Sequence, residues 1–479
     1  MTELVIDFET FHDTHFSLKK MPTVAYVRSP KFKVYGAAVK VDQQPTIWVT
    51  GSELPSFFEQ FDWPNVTAIM HNSNFDNVIV AERYGHVAGK FVDTLGLCRA
   101  LLPSDMNFDL DSLGKIFSTG GKTGGGEALK KVKGLRILPQ QLEDDLATYA
   151  VQDVNITRDI FDALYPHMPN GEKEALDLIV RLSTVGLIEG DTEAFDATHK
   201  EIIDDRYAKL DACGVDDPAV LRSRDKLAEL LKSKGIDPPT KISDQTKQET
   251  WAFSKQDVEF IRLKADPNVG PLIEAKLAWS SNTAISRTGW LKEIAQQPPH
   301  TLPMQLNFSG AHTHRLSGGG GLNMQNLPAR GVGSSIRKAL VAPPGHVICV
   351  ADLSGIELRM NMWFCGQLNM LNVIGNGGDI YIEEAARQFR KPKDQIGKPE
   401  RNYGKVVQLG CGYGMGHAKF RKMAGTGPMG MDPMYLSENQ AQETINNYRQ
   451  GVPEVVNTWR WLDTVGIQAL THEDQVVER

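Results

Sequence analysis

Two acids stand two residues apart on the first apolar run of the chain, Glu3-Leu-Val-Ile-Asp7-Phe-Glu9-Thr10. A run this rich in apolar and β-branched residues reads as a strand, and on a strand residues i and i+2 point to one face. Asp7 and Glu9 therefore share a face. Further acids follow other ordered-looking segments, so a fold that gathers them must deal with their repulsion. Two like charges ~4 Å apart repel by roughly 4 kcal/mol at an effective dielectric near 20. A cluster of such groups is costly unless divalent cations occupy the gap, and this demand narrows the possible folds sharply.

The other acids lie at Asp76, closing Asn72-Ser-Asn-Phe75-Asp76, and at Asp153. Asp153 is four residues after Tyr149 in a helix-like stretch, so the two side chains share one helical face. Oxygen-only ligands suit Mg²⁺ or Mn²⁺. Two such ions are what phosphodiester hydrolysis uses, one activating water and one stabilising the leaving oxygen. Tyr149 is placed to orient the attacking water. Around these residues ELVIDF, KVYGAAVKV and TIWVT read as strands, and AIMHNSNFD as a strand running into a helix. Residues 1–165 thus carry an α/β pattern. The Gly/Lys-rich stretch from Gly120 to Gly134 reads as a mobile loop.

From Pro166 to about Pro299 the pattern is mostly helical and charged. GEKEALDLIVRLSTVG has helical spacing, and Asp204 to Lys234 continues it with Gly235 as a stop. Strand signals return after Gln296. HVICVADLS reads as a buried strand and ELRMNMWFCG as the helix after it. Residues 379–424 read mainly as two helices, and Ser437 as the N-cap of another. Boundaries fall near 165 and near 300.

Three segments of this second half carry chemistry. In GAHTHRLSGGGGLNMQNLP the glycines allow close approach to a ligand backbone, and Arg315, Gln325 and Asn326 offer donors and acceptors. In VICVADLSGIELRM, Asp352 ends a strongly apolar run, where a carboxylate needs a partner or a cation; Glu357 and Arg359 follow. In the third, Arg401, Lys405 and Leu409 recur once per helical turn, with Tyr413 just beyond. Two cations on one face suit a triphosphate.

With 479 residues the chain is too long for one core. It has 41% hydrophobic and 23% charged residues, as a soluble globular protein does. No apolar run reaches the ~20 residues that span a bilayer, and MTELVIDFET lacks the pattern of a signal peptide. The five cysteines form no CxxC pair, which argues against a zinc site or disulfide framework. The net charge of −7 argues against unspecific coating of nucleic acid but not against a nucleic-acid substrate. A local basic run, Arg390, Lys391, Lys393, Lys398, Arg401 and Lys405, could meet phosphates.

The acidic motifs, DxE, NxxFD and YxxxD in that order, resemble the DEDD exonuclease family in its tyrosine (DnaQ-like) subtype. The resemblance covers about residues 1–165. It implies a ribonuclease H-like fold and 3′→5′ hydrolysis of single-stranded ends, with Asp7, Glu9, Asp76 and Asp153 as metal ligands and Tyr149 beside them. Asp93, in FVDT, is a nearby acid without an assigned role. The second half resembles phage-type family A DNA polymerases. TxRLS…NxQNLP is similar to the primer-template contact region, DLSGIELR to motif A, and R-x₃-K-x₇-YG to motif B. The resemblance implies that Asp352 binds a catalytic metal, Glu357 shapes the sugar gate, and Arg401 and Lys405 hold the incoming deoxynucleotide triphosphate. Lys405 would protonate the leaving pyrophosphate and Tyr413 would pack near the nascent pair. Arg315, supported by Gln325 and Asn326, would read the primer end.

The implied architecture is multidomain: an exonuclease at 1–165, a mostly helical thumb-like region at 166–300, and partial palm and fingers at 301–479. Two Mg²⁺ or Mn²⁺ ions serve each active site, and DNA primer-template is the partner. Leu409 departs from the Phe or Tyr usual in motif B. His314 stands where the family often has Gly, and Leu353 where it often has Tyr. The family's third motif, usually HDE, lies far beyond motif B, and His472-Glu473-Asp474 comes too soon to be it. The expectation is a split polymerase, with a second polypeptide supplying the rest of the palm and motif C, or else a truncated one. The alternative is a stand-alone exonuclease with a non-catalytic, primer-template-binding polymerase half. The expected location is the host cytoplasm, with no membrane partner.

Overall fold

The computed structural model describes residues 1–118, 126–428 and 431–471. His472-Glu473-Asp474 and part of the Gly120–Gly134 stretch lie outside the described residues. The chain divides into two compact units, Met1–Asp205 with Asn282–Ile348 and Arg206–Ser281 with Cys349–Arg479.

In the first unit a five-stranded sheet is built from β1 (Thr2–Thr10), β2 (Val34–Val41), β3 (Ile47–Thr50), β4 (Val66–Met70) and β5 (Lys90–Asp93), in the order β3-β2-β1-β4-β5. β1 is central, antiparallel to β2 and parallel to β4. Leu4, Ile6 and Phe8 are buried on one of its faces, and Asp7 and Glu9 project from the other. All five residues of β4 are buried, as expected for a strand covered on both faces. Helix α1 (Asp76–Tyr84) follows β4 and stops at Gly85, whose φ of +73° suits a glycine C-terminal stop. Helix α2 (Gln140–Leu164) lies on the sheet through a stripe that includes Leu146, Ala150, Val154 and Phe161. Full burial of a large apolar side chain contributes about 1.5–3 kcal/mol, so this stripe anchors the helix. Asp153 is inside the stripe. Its position is set by the helix's hydrophobic docking, not by its own charge.

Farther along the same unit, a short hairpin pairs β6 (Leu306–Asn307) with β7 (Ser317–Gly318), and Arg315 lies in the turn between them.

The second unit is mainly helical. Residues 206–281 hold helices Arg224–Ser233 and Gly270–Trp279 and a small hairpin, around Leu227, Leu231, Phe260 and Leu272. Residues 349–471 hold α3 (Ile356–Cys365), α4 (Ile380–Phe389), α5 (Lys398–Cys411) and α6 (Glu438–Gly451), packed around Met362, Val406, Val407, Ile445 and Tyr448. Ser437 caps α6 in a reciprocal box with Gln440.

Four expectations are corrected. HVICVADLS forms no strand: residues 346–353 lack regular structure, and Val347 and Val350 are 84% and 90% exposed. Apolar β-branched sequence favours a strand only where a neighbour completes the ladder, and none of the described strands pairs with this segment. The Gly120–Gly134 loop contains a helix, Glu127–Val132, because Ala128 and Val132 bury at i, i+4. Residues 379–424 form three helices, with His417–Gly425 the third, because the glycines at 412, 414 and 416 end α5. The stretch 204–234 is likewise broken, at Gly214 (φ +67°) and Pro218. Among the described residues no helix is long and apolar enough to cross a membrane.

Candidate active sites

The exonuclease-like site forms on the acid-bearing face of β1. Glu9 is buried opposite Gly36 of β2, where an added Cβ would lie 2.3 Å from the Trp48 ring. Asp76 opens α1, only 4% exposed, and its Oδ1 accepts a hydrogen bond from Phe8 N at 3.1 Å. That bond ties the N-terminus of α1 to β1 between its two acids. Burial pushes the Asp76 carboxyl up to about 7, against the pull of the Phe8 amide, and the charges of Asp93 and Asp153 add to the rise. The Tyr149 hydroxyl is raised by burial first, then by Asp153, Glu9 and Asp7. The fold thus places all five residues expected from the sequence within electrostatic reach of one another.

Among the described residues no three acid, histidine or cysteine side chains already close into a ready ligand set. The donor chemistry nevertheless fits a hard divalent cation. It is all oxygen, and carboxylates buried together, as Glu9, Asp76 and Asp153 are, call for an opposite charge beside them.

Asp93 acquires a structural role. Its Oδ1 accepts from Asn72 N at 2.8 Å, Ser73 N at 3.2 Å and Leu95 N at 3.2 Å. It thus caps the helix Thr94–Leu101 and holds the turn that leads to Asp76. A carboxylate before a helix start was the visible signal.

The glycines of the Gly318–Gly321 run are approached by protein, not left open for a ligand alone. Gly320 O accepts from Thr23 N at 3.0 Å, and a Cβ on Gly321 would lie 3.2 Å from Pro22 Cα. His314 sits at φ +57°, which accounts for the glycine usual there; its Nδ1 is 2.8 Å from Ser309 Oγ. Arg315, Gln325 and Asn326 are exposed, and Arg287 Nη1 donates to Asn326 O at 2.7 Å.

In the second unit Arg401 and Lys405 share one face of α5, over the ring of Tyr381 at 5.3 and 5.9 Å. Arg401 Nε donates to Asp379 Oδ2 at 2.6 Å. Asp379 also caps α4 by accepting from Tyr381 N and Ile382 N. Neither Asp379 nor Tyr381 was singled out from sequence, although an Asp before an amphipathic helix is a cap signal. Gly404 lies between the two cations because a Cβ there would come within 2.2 Å of Tyr381 O. Leu409 continues the same face, half-buried. Tyr413 is 67% exposed and opens on a cleft of about 830 Å³ lined also by Arg449, Trp459 and Arg460. Asp352 and Glu357 are exposed, Glu357 in the first turn of α3. Most of the basic run is neutralised locally: Arg390 pairs with Glu443, Lys391 with Glu400 and Lys393 with Glu383.

Comparison with known proteins agrees with this division. The family model described as DNA polymerase family A matches residues 193–475, and one described as 3′-5′ exonuclease matches residues 35–169. The chain is 23% identical to the DNA polymerase of Bacillus phage SP02 over 537 aligned positions, covering 99% of this chain and 78% of that protein. It is 27% identical over 242 residues to the thermostable DNA polymerase I of Thermus aquaticus, spanning half of this chain but only 27% of that protein. Among solved structures, the POL domain of Pol1 from M. smegmatis, in complex with DNA primer-template and dNTP, aligns with a TM-score of 0.67 at 17% identity, covering 98% of this chain and 76% of that one. The fold is thus an exonuclease module followed by a polymerase module, and the chain belongs to DNA polymerase family A.

Proposed function

We propose that the chain is a phage-type replication enzyme that trims mismatched 3′ ends and extends primers on a DNA template. The domains follow as an exonuclease at 1–165, a thumb-like region at 166–300 and partial palm and fingers at 301–479. The observation that carries the exonuclease reading is the hydrogen bond from Phe8 N to Asp76 Oδ1, which seats the buried Asp76 against β1 between Asp7 and Glu9. Asp7, Glu9, Asp76 and Asp153 would hold two Mg²⁺ or Mn²⁺ ions. Bound there, the ions supply an activated water and charge neutralisation at the leaving oxygen. Tyr149 orients the water.

On the polymerase side, Arg401 and Lys405 bind the triphosphate of a deoxynucleotide, with Asp379 and Tyr381 fixing their direction. Lys405 stands as the acid for pyrophosphate departure. Asp352 is the metal-binding carboxylate and Glu357 the sugar gate. Arg315, Gln325 and Asn326 contact the primer end. The cleft at Tyr413 combines two aromatic rings with two arginines, a set that suits stacked bases and their phosphates. The partner of Asp352 would be a motif C carboxylate, which we propose is supplied by a second polypeptide or by further chain. Exposed Val347, Val350 and Leu353 support this assignment, because a strand added beside them would cover them. The enzyme works in the host cytoplasm.

The exposure of Asp352 also favours a second reading, an exonuclease whose polymerase half only grips primer-template. An end-labelled primer-template incubated with Mg²⁺, with and without the four deoxynucleotides, separates the two. Shortening that Asp7→Ala abolishes supports the exonuclease. Extension that appears only on adding a polypeptide carrying motif C supports the split enzyme. Grip without extension after that addition supports the second reading, and extension by this chain alone refutes the need for a partner.

A further inference from the structure

The loop Asn72–Asp76 carries Asp76 from β4 into α1, and its middle residue, Asn74, is not aimed at the acids. Asn74 is 6% exposed, and its side chain faces the β6–β7 hairpin. Nδ2 donates to Leu306 O at 2.9 Å and to Asn307 Oδ1 at 3.1 Å. The backbone oxygen of Asn74 accepts from Nε2 of Gln305, itself 3% exposed, at 3.0 Å. Three hydrogen bonds thus fasten the loop to one short segment.

The hairpin is shaped for this joint. Asn307 Nδ2 is turned toward Ser317 Oγ and Gly318 O, each at 3.3 Å, which leaves its Oδ1 for Asn74. Gly319 N donates to Gln305 O at 2.8 Å. A Cβ on Gly319 would come within 3.0 Å of Asn74 Nδ2 and 2.9 Å of Asn307 Oδ1. A Cβ on Gly320, at φ +57°, would lie 1.4 Å from Gln305 Oε1. The glycine run is therefore what lets Gln305 and Asn307 reach the loop. The same hairpin carries Arg315 in its turn.

We propose that Asn74 is a positioning residue for hydrolysis, acting through Asp76, and that the hairpin root at Gln305, Asn307 and Gly320 belongs to the exonuclease scaffold. This rests on the assignment of Asp76 as a metal-holding acid. A displacement of ~1 Å at a reacting group can cost about 100-fold in rate, and residues that orient metal ligands typically contribute about 10–100-fold in activity or metal affinity. The hairpin that presents Arg315 thereby also sets the carboxylate of the trimming site. Exonuclease rate becomes sensitive to a segment more than two hundred residues away in sequence.

The test uses the full chain, an end-labelled single-stranded oligonucleotide and Mn²⁺ titrations at 25 °C, with Tm measured beside each. Asn74→Ala is expected to lower kcat about 10–100-fold, leave KM for DNA within about 2-fold and raise the Mn²⁺ concentration for half-maximal rate. Asn307→Ala and Gly320→Ala, which retain the Asn74 side chain but loosen its anchor, are expected to raise that concentration in the same direction, by less. They serve where Asn74→Ala does not fold. In the double variant Asn74→Ala/Asn307→Ala the losses should not add, since both remove one joint. A lowered Tm with wild-type kcat and Mn²⁺ titration in all three single variants overturns the proposal. Asp76→Asn is the control: if it still cleaves, the assignment of Asp76 fails, which is a different result.

Discussion

Asp76 and Asp352 each follow an apolar, strand-like run, yet the structure treats them in opposite ways. The run before Asp76 becomes β4, buried in full, and the acid is held by Phe8 N on a neighbouring strand. The run before Asp352 has no ladder partner among the described residues, and both it and the acid face solvent. The exonuclease side has its scaffold within the described chain, so its acids are fixed before any ligand arrives. On the polymerase side, the cation face of α5 is equally well fixed by Asp379, Tyr381 and Gly404, while the carboxylate segment is not. Preorganisation is therefore a property of each group's support, not of the motif that contains it.

The largest effect that can break this comparison is on cleavage. Asp153→Asn should lower the exonuclease rate by at least about 100-fold, as loss of a preorganised charged group does. Single-turnover hydrolysis of a labelled oligonucleotide measures it, and a loss below 10-fold would mean the acids do not act as one set. Next comes packing at the cation face. Gly404→Ala should destabilise the protein by about 1–3 kcal/mol, because the new methyl meets Tyr381 O. Urea unfolding with an unchanged m-value would establish it, and a neutral result would show that α4 and α5 separate cheaply.

Glu384 offers a pH-dependent test. It is fully buried on α4, accepting from Arg387, Gln388 and Gln408. Burial raises its carboxyl, with the Arg387 charge opposing. The folded state therefore holds the proton more tightly than the unfolded chain. The stabilisation is complete below the ordinary carboxylate range and is lost as pH rises from there through the raised value. Glu384→Gln should flatten that decline in Tm, and an identical slope in both proteins would show that Glu384 does not carry it. The smallest effect is expected at the exposed segment. Val350→Lys should change stability by less than about 0.5 kcal/mol in the chain alone. The same variant should weaken any extension that depends on an added polypeptide; unimpaired extension would remove this segment from the interface.

Much of this was legible in the sequence because it is local. Alternation along β1 put Asp7 and Glu9 on one face, and helical spacing did the same for Tyr149 with Asp153 and for Arg401 with Lys405. Ser437 as a cap and the helix Ile356–Cys365 also follow from nearby residues. Tertiary structure decided whatever depends on a distant partner. Whether HVICVADLS is a strand depends on a neighbour to complete its hydrogen bonds, which propensity does not supply. Asp379, Tyr381 and Asn74 gained their roles from contacts across 20 to 233 positions. The glycines at 318–321 read as room for a ligand until the folded chain placed Pro22, Gln305 and Asn74 against them. Sequence determines which backbone shapes and which faces are favourable, because those energies come from adjacent residues. Which face meets which is set by burial and hydrogen bonding between segments, and those energies exist only once the chain has folded.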